Sequence, residues 1–119
     1  MQYRAYDHAF GPSCTNASIF QTMGQSLVDA AVDGYNTVLF MYGQTSSGKT
    51  FTLFGSDTEA GLVEHALSRV QQRVSSSLDC EFVVKMTYSE LYNEEIKDLL
   101  AQTLVVTHFL LTYFHLTNK

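Results

Sequence analysis

Residues 43–50 read Gly43-Gln44-Thr45-Ser46-Ser47-Gly48-Lys49-Thr50, directly after the apolar run Thr37-Val38-Leu39-Phe40-Met41-Tyr42. The stretch fits GxxxxGK[ST] at every fixed position. Each fixed residue type has a physical reason to be there. Glycines let the backbone curl so that successive N–H groups point inward at phosphate oxygens. Lys49 sets a compact, flexible cation against the terminal phosphates, and Thr50 can place its hydroxyl on a Mg²⁺ that bridges them. A helix starting at Gly48 or Lys49 adds its positive end to the same anion. A chance match in a chain of this length is on the order of half a percent, which sets aside a plain Gly/Ser turn with a solvated lysine.

Working outward, Thr37 to Tyr42 is a short continuous run rich in strand formers. That pattern suits a strand buried on both faces of a parallel sheet. Upstream, Ile19, Phe20, Met23, Leu27 and Ala31 recur at spacings of three and four. They predict a helix capped by Asn16 or Ser18, after a turn at Gly11-Pro12-Ser13, and stopped at Gly34. Downstream, a polar turn through Ser56, Asp57 and Thr58 leads to a second helix. Val63, Ala66, Leu67, Val70 and Val74 mark one face of it, with Glu64, Arg69 and Arg73 away from that face. From Glu81 to Ser89 the period becomes two, with Phe82, Val84, Met86 and Tyr88 on one side. Asn93, Glu94 and Glu95 read as a polar turn. The order helix, strand, phosphate-type loop, helix, strand is an α/β pattern. The fold class is therefore α/β of the P-loop NTPase type, with a central, mostly parallel sheet flanked by helices.

Composition bounds the rest. With 119 residues, 45% apolar, 16% charged, 7 Gly and 1 Pro, the chain makes at most one domain and is neither collagenous nor generally disordered. Seven Lys+Arg against 12 Asp+Glu, a net charge of -5, argue against non-specific nucleic-acid binding. Cys14 and Cys80 are too few for a disulfide scaffold or a zinc site and fit reduced thiols in a cytosolic protein. His8, His65, His108 and His115 show no metal spacing. MQYRAYDHAF has no basic end followed by an apolar run, so no leader is expected. Ala101 to Asn118 carries no Lys, Arg, Asp or Glu. Its richest part, Leu104 to Leu116, is shorter than the ~20 apolar residues of a spanning helix. No membrane partner is expected, and the stretch reads as an aggregation hazard.

The flanks of the loop add a resemblance. Tyr42 to Gly55 (YGQTSSGKTFTLFG) resembles the nucleotide loop of the kinesin motor family. Tyr3 to Pro12 (YRAYDHAFGP) resembles the aromatic-Asp-Phe stretch before the first motor helix. Asp33-Gly34-Tyr35-Asn36 with Val38-Leu39-Phe40 resembles the family's GYN and the strand into the loop. Gly61-Leu62-Val63 resembles the opening of the next helix, and Glu81 to Leu100 (EFVVKMTYSELYNEEIKDLL) the strand, YNE turn and DLL segment. The resemblance implies that residues 1–100 are the P-loop portion of an incomplete kinesin motor domain, with residues 101–119 a hydrophobic tail outside the family pattern. It implies ATP and Mg²⁺ as ligands, with Gly43, Gln44, Thr45, Ser46, Ser47, Gly48, Lys49 and Thr50 around the phosphates and Thr50 on the metal. Phe51 falls where the family places a side chain beside the adenine. An aromatic there suits stacking on a base, a contact worth about 1–3 kcal/mol; it equally suits a core Phe in a first helical turn. The resemblance also implies a parent that couples ATP hydrolysis to movement on microtubules, tubulin as partner, and a cytoplasmic, cytoskeletal setting.

The chain departs from the family in one respect that bears on chemistry. Neither the NxxSSR nor the DxxGSE switch stretch occurs in these 119 residues, nor does the arginine-proline segment that borders the adenine. Hydrolysis depends on a positioned water and on charge stabilisation at the transferring phosphoryl group. The alternative expectation is thus a switchless chain that binds nucleotide or a partner without turnover. Adjacent Glu94 and Glu95 would not share a helix face as an acid/base pair, and no catalytic residue is assigned. A different P-loop enzyme, such as a small kinase, would need a downstream aspartate-ended strand, which Phe82 to Tyr88 does not offer.

Overall fold

The computed structural model describes residues 6–77, 82–100 and the backbone of 111–118. The chain divides into two units, residues 1–77 and 78–119. Tyr3, Cys80, Glu81, His108 and residues 101–110 lie outside the described residues.

In the first unit, Thr15 is extended and its Oγ1 accepts the Ser18 N–H at 3.2 Å. The helix cap is therefore Thr15, not Asn16 or Ser18 as expected, because Asn16 already lies inside the first turn and is buried. Helix α1 runs as α-helix over Asn16–Ile19, as π-helix over Phe20–Gly24, and as α-helix again over Gln25–Val32. At the wide turn the Gln25 N–H reaches back to the Phe20 carbonyl, one residue further than the α pattern. Gly24 lies under the Phe20 ring, where a Cβ would come within 2.6 Å of it. The helix stops as the sequence predicts. Gly34 turns left-handed at φ 97, the Tyr35 N–H bonds the Ala30 carbonyl at 3.0 Å and the Gly34 N–H bonds the Ala31 carbonyl at 3.1 Å. This is a Schellman motif.

Helix α2 (Lys49–Phe54) leads through a small antiparallel hairpin, β1 (Gly55–Ser56) and β2 (Glu59–Ala60), into helix α3 (Leu62–Ser76). Among the described residues the buried apolar side chains are Phe20 and Leu62. Phe20 stacks on His65 with ring centroids 5.5 Å apart. Further along the same interface the Arg69 guanidinium makes two 2.8 Å bonds to the Asp29 carboxylate, and Arg73 Nη2 meets Asp33 at 2.6 Å. The two arginines, expected away from the packing face, thus turn toward α1, while Leu67 is 39% exposed. The contact follows the row Leu62, His65, Arg69 and Arg73 at helical spacing. Charge pairing and an aromatic stack replace part of the aliphatic face that the sequence suggested.

The run Thr37–Tyr42 corrects a second expectation. It has no strand ladder, and Val38, Phe40 and Tyr42 are 81%, 77% and 90% exposed. A strand is buried on two faces only when neighbours pair with both its edges and helices cover it. No described strand pairs with this one.

In the second unit, β3 (Phe82–Tyr92) pairs antiparallel with β4 (Glu95–Asp98), from Ser89 opposite Asp98 to Tyr92 opposite Glu95. The polar turn lies where the sequence put it. Asn93 and Glu94 both have positive φ, 49 and 66, the signature of a type I′ hairpin loop. The other edge of β3 pairs antiparallel with β5 (Leu111–Asn118), Phe82 opposite Asn118 through Ser89 opposite Leu111, so the strand order is β4-β3-β5. Among the described residues every strand pair is antiparallel. The period-two strand is present, yet Val84 and Met86 on its apolar side remain 47% and 44% exposed. Toward its end, burial raises the Tyr88 phenol above its ordinary pKa, and the nearby Glu90 carboxylate adds to the effect. No helix among the described residues is long and apolar enough to cross a membrane.

Candidate functional site

The loop from Gly43 to Gly48 is a tight, exposed turn at the head of α2. The Ser47 N–H bonds the Gln44 carbonyl at 3.3 Å. Ser46 and Gly48 both adopt left-handed conformations, at φ 62 and 88. At Gly48 a Cβ would meet nothing within 4 Å, so glycine is required there by the backbone angle and not by crowding. Gly43 has φ 159, and a Cβ there would come within 2.7 Å of Ser47 Oγ, a hydroxyl that can rotate away. The Gly48 carbonyl then accepts the Thr52 N–H at 2.9 Å, which opens α2.

Lys49 does not project into solvent. Its ammonium donates to the Gly43 carbonyl at 2.7 Å and to the Gln44 carbonyl at 2.5 Å. The cation is thereby held over the mouth of the loop, within a side chain's swing of whatever sits there. Gly43, Gln44, Thr45, Ser46, Ser47, Gly48 and Thr50 are exposed, with Lys49 half-buried. The first-turn amides of α2 have no partner within the helix, and the hydroxyls of Thr45, Ser46, Ser47 and Thr50 and the Lys49 ammonium lie in the same short stretch of chain. These donors fit an anion of the phosphate class. They do not form a metal site by themselves, since no group of three or more His, Cys, Asp or Glu suited to a metal occurs among the described residues. A Mg²⁺ carried by phosphate oxygens and waters needs no more from the protein than the Thr50 hydroxyl.

Phe51 is 43% exposed. That exposure leaves part of the side chain accessible, which is compatible with a contact to a base. Tyr35 serves the helix-ending turn described above and is 72% exposed. Cys14 Sγ lies 2.9 Å from Ser18 Oγ, a local contact with no link to the loop.

Two residues near the site were not assigned to it from the sequence: Asn16, read there only as a candidate helix cap, and Glu59. The buried Asn16 donates from Nδ2 to the Phe51 carbonyl at 3.2 Å, and its backbone N–H donates to Glu59 Oε1 at 2.6 Å. Asn16 thus ties the start of α1 both to α2 and to the hairpin that follows it. The pairs lie 35 and 43 residues apart in sequence, so no local pattern announces them.

The model of the kinesin motor domain family matches residues 2–114, which extends beyond Leu100. Kinesin-like protein KIN-7N of Arabidopsis thaliana is 47% identical over 97 residues, covering 82% of this chain and 12% of that protein. Centromere-associated protein E of Homo sapiens is 37% identical over 98 residues, 82% of this chain and 4% of that protein. Among solved structures, one described as that of a fast kinesin, with implications for ATPase mechanism and interactions with microtubules, aligns with a TM-score of 0.79 at 30% identity. It covers 93% of this chain and 36% of that one. The chain therefore spans a small part of the relatives it matches.

Proposed function

Because this chain belongs to the kinesin motor domain family, a family of microtubule motors, we propose that Gly43 to Thr50 and the ring of Phe51 form its ATP–Mg²⁺ site. The observation that carries this reading is the placement of the Lys49 ammonium on the Gly43 and Gln44 carbonyls at the head of α2. An incoming polyphosphate takes the ammonium from those carbonyls, exchanging two neutral acceptors for charged oxygens, which bind a cation more strongly. Gly43, Gln44, Thr45, Ser46, Ser47 and Gly48 wrap the phosphates with backbone N–H groups. Thr50 contributes its hydroxyl to the Mg²⁺, and Phe51 offers its exposed ring to the adenine. When bound, the metal supplies neutralisation of charge on the terminal phosphates.

The parent function is coupling of ATP hydrolysis to movement on microtubules, in a cytoplasmic, cytoskeletal setting with tubulin as partner. In this division residues 1–100 are the P-loop portion of the motor domain and 101–119 a hydrophobic extension. For these 119 residues alone a second reading holds, binding without turnover, because the sequence contains neither NxxSSR nor DxxGSE. A two-part assay tests both readings. Fluorescent ribose-labelled ADP should bind in the presence of Mg²⁺, while phosphate release from ATP should stay flat on addition of microtubules. Absence of ADP binding would refute the site. Release that rises with microtubules and vanishes in Lys49→Ala would return hydrolysis to the chain.

A further inference from the structure

We propose that Asn16, which lies outside the phosphate loop, is a positioning residue for base recognition, setting how Phe51 is presented to the adenine. The inference rests on the nucleotide reading above and adds a residue to it. Asn16 is 2% exposed, and its amide points into the joint between α1 and α2, donating to the Phe51 carbonyl at 3.2 Å. That carbonyl also accepts the Gly55 N–H that closes α2. It is therefore held from two directions, by its own helix and by α1. A six-residue helix has little stiffness of its own, so an outside tie at its third residue decides its rotation about its axis. Rotation decides where the Phe51 ring points. The second bond reinforces the tie, since Glu59 Oε1 holds the Asn16 backbone N–H at 2.6 Å from the hairpin following α2. Asn16 is thus tied both to the third residue of α2 and to the hairpin beyond its end. The phosphate contacts lie before this joint, on Gly43 to Thr50, and the Lys49 bonds to Gly43 and Gln44 do not involve Asn16.

The consequence is a split between ligands. Losing the amide loosens Phe51 and weakens ligands that carry a base, and leaves a bare polyphosphate unaffected. The test displaces ribose-labelled ADP from the full chain with Mg-ATP and with inorganic tripolyphosphate, in wild type, Asn16→Ala, Phe51→Ala and the double variant. One lost hydrogen bond of this kind predicts an ATP affinity about threefold to tenfold weaker in Asn16→Ala, with tripolyphosphate changed by less than about twofold. In the Phe51→Ala background Asn16→Ala should add less than about twofold for ATP, since coupled residues are non-additive. Asn16→Ser, which keeps a polar group in the buried position but shortens its reach, carries the same test if the alanine variant unfolds. Equal losses for ATP and tripolyphosphate, or full additivity with Phe51→Ala, overturn the proposal and make Asn16 a structural residue only. A wild-type chain that binds neither ligand overturns the site itself. One that binds both equally, with Phe51→Ala silent, overturns the positioning role while leaving the phosphate loop intact.

Discussion

At the scale of the residue, the sequence was most legible where chemistry is local. Every fixed position of the loop could be named because backbone angle and charge are properties of a few adjacent residues. Gly48 at φ 88 and Lys49 folded over its own loop carbonyls follow from that logic. Thr50 makes a separable contribution. Thr50→Ala should leave metal-free nucleotide binding unchanged and remove the gain in affinity on adding Mg²⁺, measured by titrating ribose-labelled ADP with and without the ion. An unchanged Mg²⁺ response would exclude the hydroxyl from the metal. Asp29 shows what was less legible. Its pKa is lowered from 3.8 chiefly by the hydrogen bond from Arg69, against an opposing desolvation, with the charges of Arg69 and Arg73 assisting. A carboxylate with a depressed folded pKa contributes stability above its unfolded value, and that contribution is lost as pH falls through the folded one. Thermal midpoints recorded downward from pH 5 should therefore fall less steeply in Asp29→Asn than in wild type. Parallel profiles would remove Asp29 from the acid response.

At the scale of the element, the C-terminal stop of α1 and the hairpin turn could be read, while the start of α1 was placed too late and helix interiors were read only in part. Gly34 and Asn93 announce themselves by residue type, whereas Glu94 at φ 66 does not. The π turn in α1 does not, because it arises from the packing of the Phe20 ring over Gly24 and against His65. Gly24→Ala tests that origin. Its Cβ would come within 2.6 Å of the ring, and overpacking of this kind typically destabilises by about 1–3 kcal/mol, against a helix-propensity gain of about 1 kcal/mol. A net loss of stability is expected in denaturant unfolding, and a stabilised variant would contradict the packing account. The charge ladder between α1 and α3 did leave a signal in the sequence. Asp29 with Asp33, and Arg69 with Arg73, are like-charge pairs four residues apart, which disfavour an isolated helix. Two such pairs of opposite sign predict that the helices face each other. Grouping the arginines with a solvated face hid it.

At the scale of the whole molecule, the α/β class and the family were legible, because the loop and its flanks are contiguous in sequence. The sheet was not, because pairing depends on strands distant in the chain. Val38, Phe40 and Tyr42 carry the sequence pattern of a buried strand and stand 81%, 77% and 90% exposed. Amides of residues 38–42 should accordingly exchange with solvent far faster than those in the middle of α3, since only the latter are held in a hydrogen-bonded element. Comparable protection in the two segments, by exchange mass spectrometry of the full chain, would show that this run is paired in solution. The chain covers 12% of the Arabidopsis protein and 36% of the solved kinesin structure, so the proposed ATP site is the part of the account that a binding measurement on these 119 residues reaches. The most direct measurement is calorimetric titration of Mg-ATP into the 119-residue chain and into Lys49→Ala. The account predicts saturable one-to-one binding by the wild type, weakened about tenfold or more by loss of a charged hydrogen-bonding partner in the variant. No heat of binding in the wild type, or equal affinity in the two, would contradict it.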